Sequence, residues 1–231
     1  RKALEDEYDS AEYLPVSSYD IEEMYEELLD IISTVKNTYL KKLLEKIFVE
    51  STDSFKKKFK DHSAAKSVHH GYIGGLLEHT LSVTRVCDFI SSNYPYVSRD
   101  LLITAAILHD IGKVEELSLF PENDYTDEGQ LLGHIIIGTE MVSNRIAKID
   151  GFPPVKAREL LHCILSHHGE LEFGSPKKPA LMEAVALSFA DNTDAKMETF
   201  RLAVKTVPTE DLSFLGFNRY IEANVRRTST D

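Results

Sequence analysis

His109 and Asp110 interrupt the stretch Ala105-Ala106-Ile107-Leu108-His109-Asp110-Ile111-Gly112, whose other side chains belong in a core. A bare carboxylate buried among such neighbours costs several kcal/mol unless something neutralises it. Any fold this chain adopts must therefore bring a counter-charge to that point, and a metal ion does so directly. Alone, the pair is weak evidence, because a core histidine bonded to a backbone carbonyl is commoner than a ligand.

The pattern recurs along the chain. His79 lies in Leu76-Leu77-Glu78-His79-Thr80-Leu81, and His134 lies in Leu131-Leu132-Gly133-His134-Ile135-Ile136-Ile137. His167-His168 ends a segment whose inner positions are Leu160, Leu161 and Ile164, and Asp191 follows Leu187-Ser188-Phe189-Ala190. One such histidine reads as a satisfied core residue; the whole series in one chain reads as a metal centre. Imidazole and carboxylate donors together suit Mn²⁺, Fe²⁺, Zn²⁺ or Mg²⁺ better than a thiophilic ion. Consecutive helical residues point about 100° apart, so His109 and Asp110 can address neighbouring ions, with the two oxygens of Asp110 suited to bridging them.

Apolar positions recur at helical spacing nearly throughout. Asp20 and Glu23 have capping-box spacing ahead of a helix over about 20–35. Further helices are predicted through Leu40 to Phe48, through Phe55 and Phe59, over about 76–92, and from a Ser98 cap through Leu108 to Gly112. The last three are expected at about 130–149, 154–168 and 180–205. His69-His70-Gly71-Tyr72-Ile73-Gly74-Gly75 reads as a loop, and 118–129 as a loop with room for a short hairpin. The fold class expected is all-α, a helical bundle around a metal site, with residues 1–17 an arm or linker, 18–205 the domain and 206–231 a C-terminal extension.

Cys87 and Cys163 stand alone in apolar patterns and read as core packing. No apolar run reaches the roughly 20 residues of a membrane span and no signal peptide opens the chain, so a cytoplasmic protein is expected. The formal charge of −12 and pI near 5.2 argue against a broad basic surface that grips nucleic acid unaided. A first residue other than methionine and a linker-like start suggest a piece of a longer protein.

These residues in this order resemble the HD superfamily of metal-dependent phosphohydrolases, whose His, His-Asp, Asp pattern is matched by His79, His109-Asp110 and Asp191. The additional His134 and His167-His168 look like the two-metal branch. The resemblance implies one ion on His79, His109, Asp110 and Asp191, and a second on Asp110, His134 and either His167 or His168. His167 is favoured as the ligand and His168 as a substrate contact.

A closer resemblance covers most of residues 15 to 200. Its segments are Ala64-Ala65-Lys66 with His69-His70, Gly74-Gly75-Leu76-Leu77-Glu78-His79-Thr80, Gly129-Gln130-Leu131-Leu132-Gly133-His134, and Ser166-His167-His168-Gly169-Glu170-Leu171-Glu172-Phe173-Gly174-Ser175-Pro176. Together they look like the HD domain of YhaM-type 3′-5′ exoribonucleases. That implies one or two divalent ions, Mn²⁺ favoured, and a single-stranded RNA or nucleotide substrate from which nucleoside 5′-monophosphates are released. A homo-oligomer is possible. Members of that family carry an OB-fold domain ahead of the HD domain, and there is no room for one before the first predicted helix.

Lys113, one turn beyond His109, is placed either to stabilise a helix end or to meet a phosphate oxygen as charge develops; the resemblance favours the second. His69 and His70 sit on a glycine-bordered loop able to fold over the metals, as substrate contacts, as a general acid, or as structural residues only. Gly169 to Pro176 is expected to wall the substrate pocket, and Asp194 to support a ligand rather than be one. Two other functions compete with the exonuclease: hydrolysis of small nucleotides or cyclic dinucleotides, and a non-catalytic metal-binding module.

Overall fold

The computed structural model describes residues 14–66, 70–205 and 207–229; His69 and most of the expected arm lie outside the described residues. Asp20 caps α1 (Ile21–Ser33), its Oδ1 accepting from the amides of Glu22 and Glu23. Asn37 does the same for α2 (Thr38–Leu44), which widens into a π-helical turn over Glu45–Val49. The hydroxyl of Tyr25 on α1 donates to the Phe48 carbonyl of that turn at 2.6 Å, tying α1 to α2.

There follow α3 (Asp53–Asp61), α4 (Gly75–Asn93), α5 (Arg99–Leu108), the single turn α6 (Lys113–Glu116), α7 (Asp127–Ile146), α8 (Pro154–Leu165) and α9 (Met182–Val204). Every residue of α5 from Leu101 to Leu108 is buried. That helix is the axis of the bundle, with α4, α8 and α9 packed around it and α7 laid across α6 and α8. The only strands among the described residues, β1 (Phe217–Asn218) and β2 (Ala223–Asn224), form one two-residue ladder, so the class is all-α. No helix among the described residues is long and apolar enough to cross a membrane. Cys87 and Cys163 are buried free thiols, and burial pushes the Cys163 thiol up to about 12.

Four local expectations need correction. α5 stops at Leu108 rather than Gly112, and α8 stops at Leu165 rather than at residue 168, so His109-Asp110 and His167-His168 both occupy turns just past a helix end. The backbone stays right-handed after α5 but tightens to i→i+3 bonds, Ile111 N to Leu108 O and Lys113 N to Asp110 O, which apolar periodicity cannot register. Ser98 precedes α5 without a side-chain cap; its amide donates to Glu183 Oε1 instead. α7 begins at Asp127, where Thr126 Oγ1 caps it through the Gly129 amide, and is broken at Gly133.

Candidate metal centre

Polar side chains from α4, α7 and α9 and from the turns after α5 and α8 reach the same interior point. His79 lies one turn into α4 on its buried face. His109 and Asp110 follow α5, and Gly112 in the same turn lets that turn press against α7. A Cβ on Gly112 would collide with the His134 backbone carbonyl, so only glycine allows the approach that sets Asp110 beside His134. Gly133 has φ 74° and ψ 155°, a region essentially reserved for glycine. The break takes the His134 amide out of the helical ladder, and it donates to Glu116 Oε1 at 2.9 Å.

The first four donors, one oxygen of Asp110 among them, lie close together. His79 Nε2 is 3.3 Å from Asp110 Oδ2, 3.2 Å from Asp191 Oδ1 and 3.2 Å from His109 Nε2. His109 Nε2 is 3.3 Å from Asp110 Oδ2 and 3.9 Å from Asp191 Oδ1. The other oxygen, Asp110 Oδ1, faces a different pair: His134 Nε2 at 3.4 Å and His167 Nε2 at 3.5 Å. Asp110 Oδ1, His134 Nε2 and His167 Nε2 are all buried without a hydrogen-bond partner.

Donors sharing one cation at roughly 2.0–2.2 Å stand about 3–3.5 Å apart, which is the spacing seen here. Three converging polar atoms left unpaired in a core are unfavourable unless a cation satisfies them. The donor set fits divalent metal ions.

The rings are held from behind. Nδ1 of His109 donates to Ala106 O at 2.7 Å, that of His167 to Ile164 O at 2.7 Å, and that of His168 to Phe173 O at 2.8 Å. His79 Nδ1 is bonded to Asp194 Oδ2 at 2.7 Å and His134 Nδ1 to Glu116 Oε1 at 3.0 Å. Each of the five rings thus commits Nδ1 outward and leaves Nε2 for the interior, the arrangement that metal-binding histidines require. Nε2 atoms of His79 and His109 so close together need a proton or a cation between them to reconcile their lone pairs.

Electrostatics agree. Burial opposes charge on Asp110, but Lys113, His109 and His167 outweigh it and hold its carboxyl well below the usual carboxylate range. Asp191 is likewise held down, against burial, by His79 and His109. Burial also opposes charge on His79, yet Asp110, Asp191 and Asp194 raise its pKa well above the usual imidazole value. Burial lowers the pKa of His167 and His168.

Of the residues singled out in the sequence, His79, His109, Asp110, His134, His167 and Asp191 converge. His167 is fully buried, whereas the half-buried His168 lies toward the opening, its ring 4.4 Å from that of His167 and 5.2 Å from that of His134. Lys113 Nζ is 2.7 Å from Asp110 Oδ2. His70 does not share the centre's interior: it sits behind His79, with Nε2 2.9 Å from Asp194 Oδ2 and Nδ1 2.9 Å from the Tyr72 hydroxyl. Asp194 also accepts a short hydrogen bond from Ser82 Oγ. Glu116 escaped sequence reasoning. It is 18 residues from its partner His134, and the only trace is an acid next to Val114 and Leu117 in a turn otherwise directed inward.

A buried His-Asp pair flanked by histidines from separate helices, in an all-α bundle, defines a class: the chain belongs to the HD domain family, whose profile matches residues 76–196. Among curated proteins it is 36% identical over 197 residues to the "3′-5′ exoribonuclease YhaM" of Geobacillus sp. (strain WCH70), covering 85% of this chain and 59% of that protein. It is also 36% identical over 199 residues to the protein of the same name from Bacillus velezensis (strain DSM 23117 / BGSC 10A6 / LMG 26770 / FZB42), covering 85% of this chain and 61% of the relative. The chain thus spans about three fifths of the length of these relatives. No solved structure matches it significantly.

Proposed function

We propose that this chain is the hydrolytic domain of a 3′-5′ exoribonuclease that uses two divalent cations, Mn²⁺ by preference, to release nucleoside 5′-monophosphates from single-stranded RNA. The observation that carries the reading is the division of Asp110: Oδ2 faces His79 and His109, which also approach Asp191, while Oδ1 faces His134 and His167. A carboxylate so placed would serve two cations at once. The exonuclease assignment rests on the likeness to the YhaM proteins.

When bound, such ions acidify an attacking water and neutralise charge on the phosphoryl group. The chain's own residues do the rest. His79, His109, Asp110 and Asp191 would hold the first ion; Asp110, His134 and His167 would hold the second. Lys113 keeps its ammonium beside Asp110, where a non-bridging phosphate oxygen can share it as charge develops. His168, neutral near pH 7 because burial lowers its pKa, offers Nε2 as an acceptor for a ribose hydroxyl. His70 acts through Asp194 to position His79 rather than by touching substrate. With a net charge of −12, attraction for RNA is confined to this centre, so affinity is expected to depend on the divalent ion.

The test pairs elemental analysis with a 5′-labelled RNA oligonucleotide and Mn²⁺. A ladder shortening one nucleotide at a time, about two metals per chain, and loss of both in Asp110→Ala are expected. Turnover of free nucleotides with no shortening would reassign the substrate to small molecules, and no diester hydrolysis by metal-loaded protein would make the domain non-catalytic.

A further inference from the structure

Immediately after His168 the chain makes a tight turn that returns to the same histidine. Gly169 and Gly174, at φ 82° and 90°, bracket a 3₁₀ turn over Leu171–Phe173. Within it Glu170 N donates to His168 O, Phe173 N to Glu170 O and Gly174 N to Leu171 O. The loop closes when His168 Nδ1 donates to the Phe173 carbonyl at 2.8 Å, and Lys178 braces it through Glu170 at 2.5 Å. The backbone of Phe173 is thereby fixed one residue's breadth from the metal centre.

Two of the side chains on this fixed turn are large, apolar and face water. Phe173 is 63% exposed and Leu171 58%. Beyond His134, whose ring neighbours that of His168, Leu131 is 83% exposed on the turn before the Gly133 break. An aromatic ring left in solvent on a backbone bonded to His168 is able to meet a ligand with an apolar face. Glu172 adds an exposed carboxylate to the same turn, so a phosphate is not what the turn attracts. A nucleobase is neutral, flat and linked to a phosphate by one ribose, which matches an aromatic ring held near a phosphodiester-cleaving centre.

We propose that Phe173 is a stacking platform for a nucleobase of the 3′-terminal nucleotides, making the Leu171–Phe173 turn a substrate-binding subsite of this domain. The proposal rests on the exonuclease reading above. Because the bond to His168 uses the Phe173 backbone carbonyl, replacing the side chain leaves the histidine's support in place.

The experiment measures kcat and KM of wild type, Phe173→Ala and Phe173→Trp on an RNA oligonucleotide, and on the same oligonucleotide with an abasic 3′-terminal nucleotide. Base-on-aromatic stacking is expected to give a KM rise of about 5- to 150-fold for Phe173→Ala on intact RNA. The tryptophan variant should restore the wild-type KM, and the abasic substrate should be bound equally weakly by wild type and the alanine variant. Equal KM values for wild type and Phe173→Ala on intact RNA, or an equal loss on both substrates, overturn the platform while leaving the exonuclease reading intact. Failure of wild type to shorten the oligonucleotide overturns both. Metal content and melting temperature, expected unchanged in Phe173→Ala, verify that the loss is not one of folding.

Discussion

One oxygen of Glu116 serves His134 twice, accepting from its amide and from its Nδ1. Burial opposes the charge on Glu116, but His134 outweighs it and lowers the carboxyl's pKa. Removing such a support typically lowers metal affinity by about 10–100-fold. Glu116→Ala is expected to fall in that range in a chelator-competition titration, while Glu116→Gln, which keeps an oxygen acceptor, stays nearer wild type. Equal behaviour of the two variants would mean that the acceptor is irrelevant. The residues that converge were legible because each is a polar side chain in an apolar segment, and burial makes such residues conspicuous. Of their supports only Asp194 was: Glu116 and Ser82 contact partners distant in sequence, and three of the five supporting acceptors are backbone carbonyls, which no side-chain pattern encodes. His70 was read with His69 as a loop residue able to fold over the metals; with a left-handed backbone, φ 55°, it instead sits behind His79, bonded to Asp194.

Periodicity located every helix except the single turn α6 but misplaced the ends that matter. His109-Asp110 and His167-His168 follow helices and stay in right-handed turns, so their apolar spacing continues while their hydrogen bonding changes. The Gly133 break inside α7 was hidden because a single glycine in an amphipathic run is usually tolerated. Nothing crowds a Cβ at Gly133 closer than Glu116 Oε1 at 3.9 Å, so a side chain there is opposed by backbone conformation alone. Gly133→Ala is expected to cost about 1–3 kcal/mol and to lower the melting temperature by about 2–12 °C, with weakened metal binding through a displaced His134. An unchanged melting curve would show that α7 can straighten without penalty.

Across the whole molecule, the centre concentrates four carboxylates and five imidazoles at the meeting point of α4, α5, α7, α8 and α9. A ligand that binds only the folded chain stabilises it by about 2.7 kcal/mol at a hundred times its Kd, so Mn²⁺ is expected to raise the melting temperature of wild type by about 5–11 °C and that of Asp110→Ala far less. In chelator the pH dependence should have two limbs. Burial would raise Asp194, but His70 and His79 outweigh it and hold its carboxyl below the usual range, so its contribution is present above the ordinary value of 3.8 and is lost as pH falls through the lower folded value. His79 is raised, so its contribution is full below its ordinary 6.5 and is lost as pH rises through the higher folded value. Metal-free protein should melt highest between about pH 4 and 6.5. A melting temperature still climbing above that window would contradict the assignment of positive charge to His79.

The carbonyl acceptors behind His109, His167 and His168 dictate which nitrogen carries hydrogen, since a carbonyl can only receive. When neutral, all three rings are therefore the Nδ1–H tautomer, the minor form of a free imidazole side chain. An arriving ion meets Nε2 atoms already aimed at it, with no ring to rotate at these positions. The speed of filling then belongs to the ion's own hydration shell, slow for an ion such as Mg²⁺ that surrenders water reluctantly and quick for one that exchanges it readily.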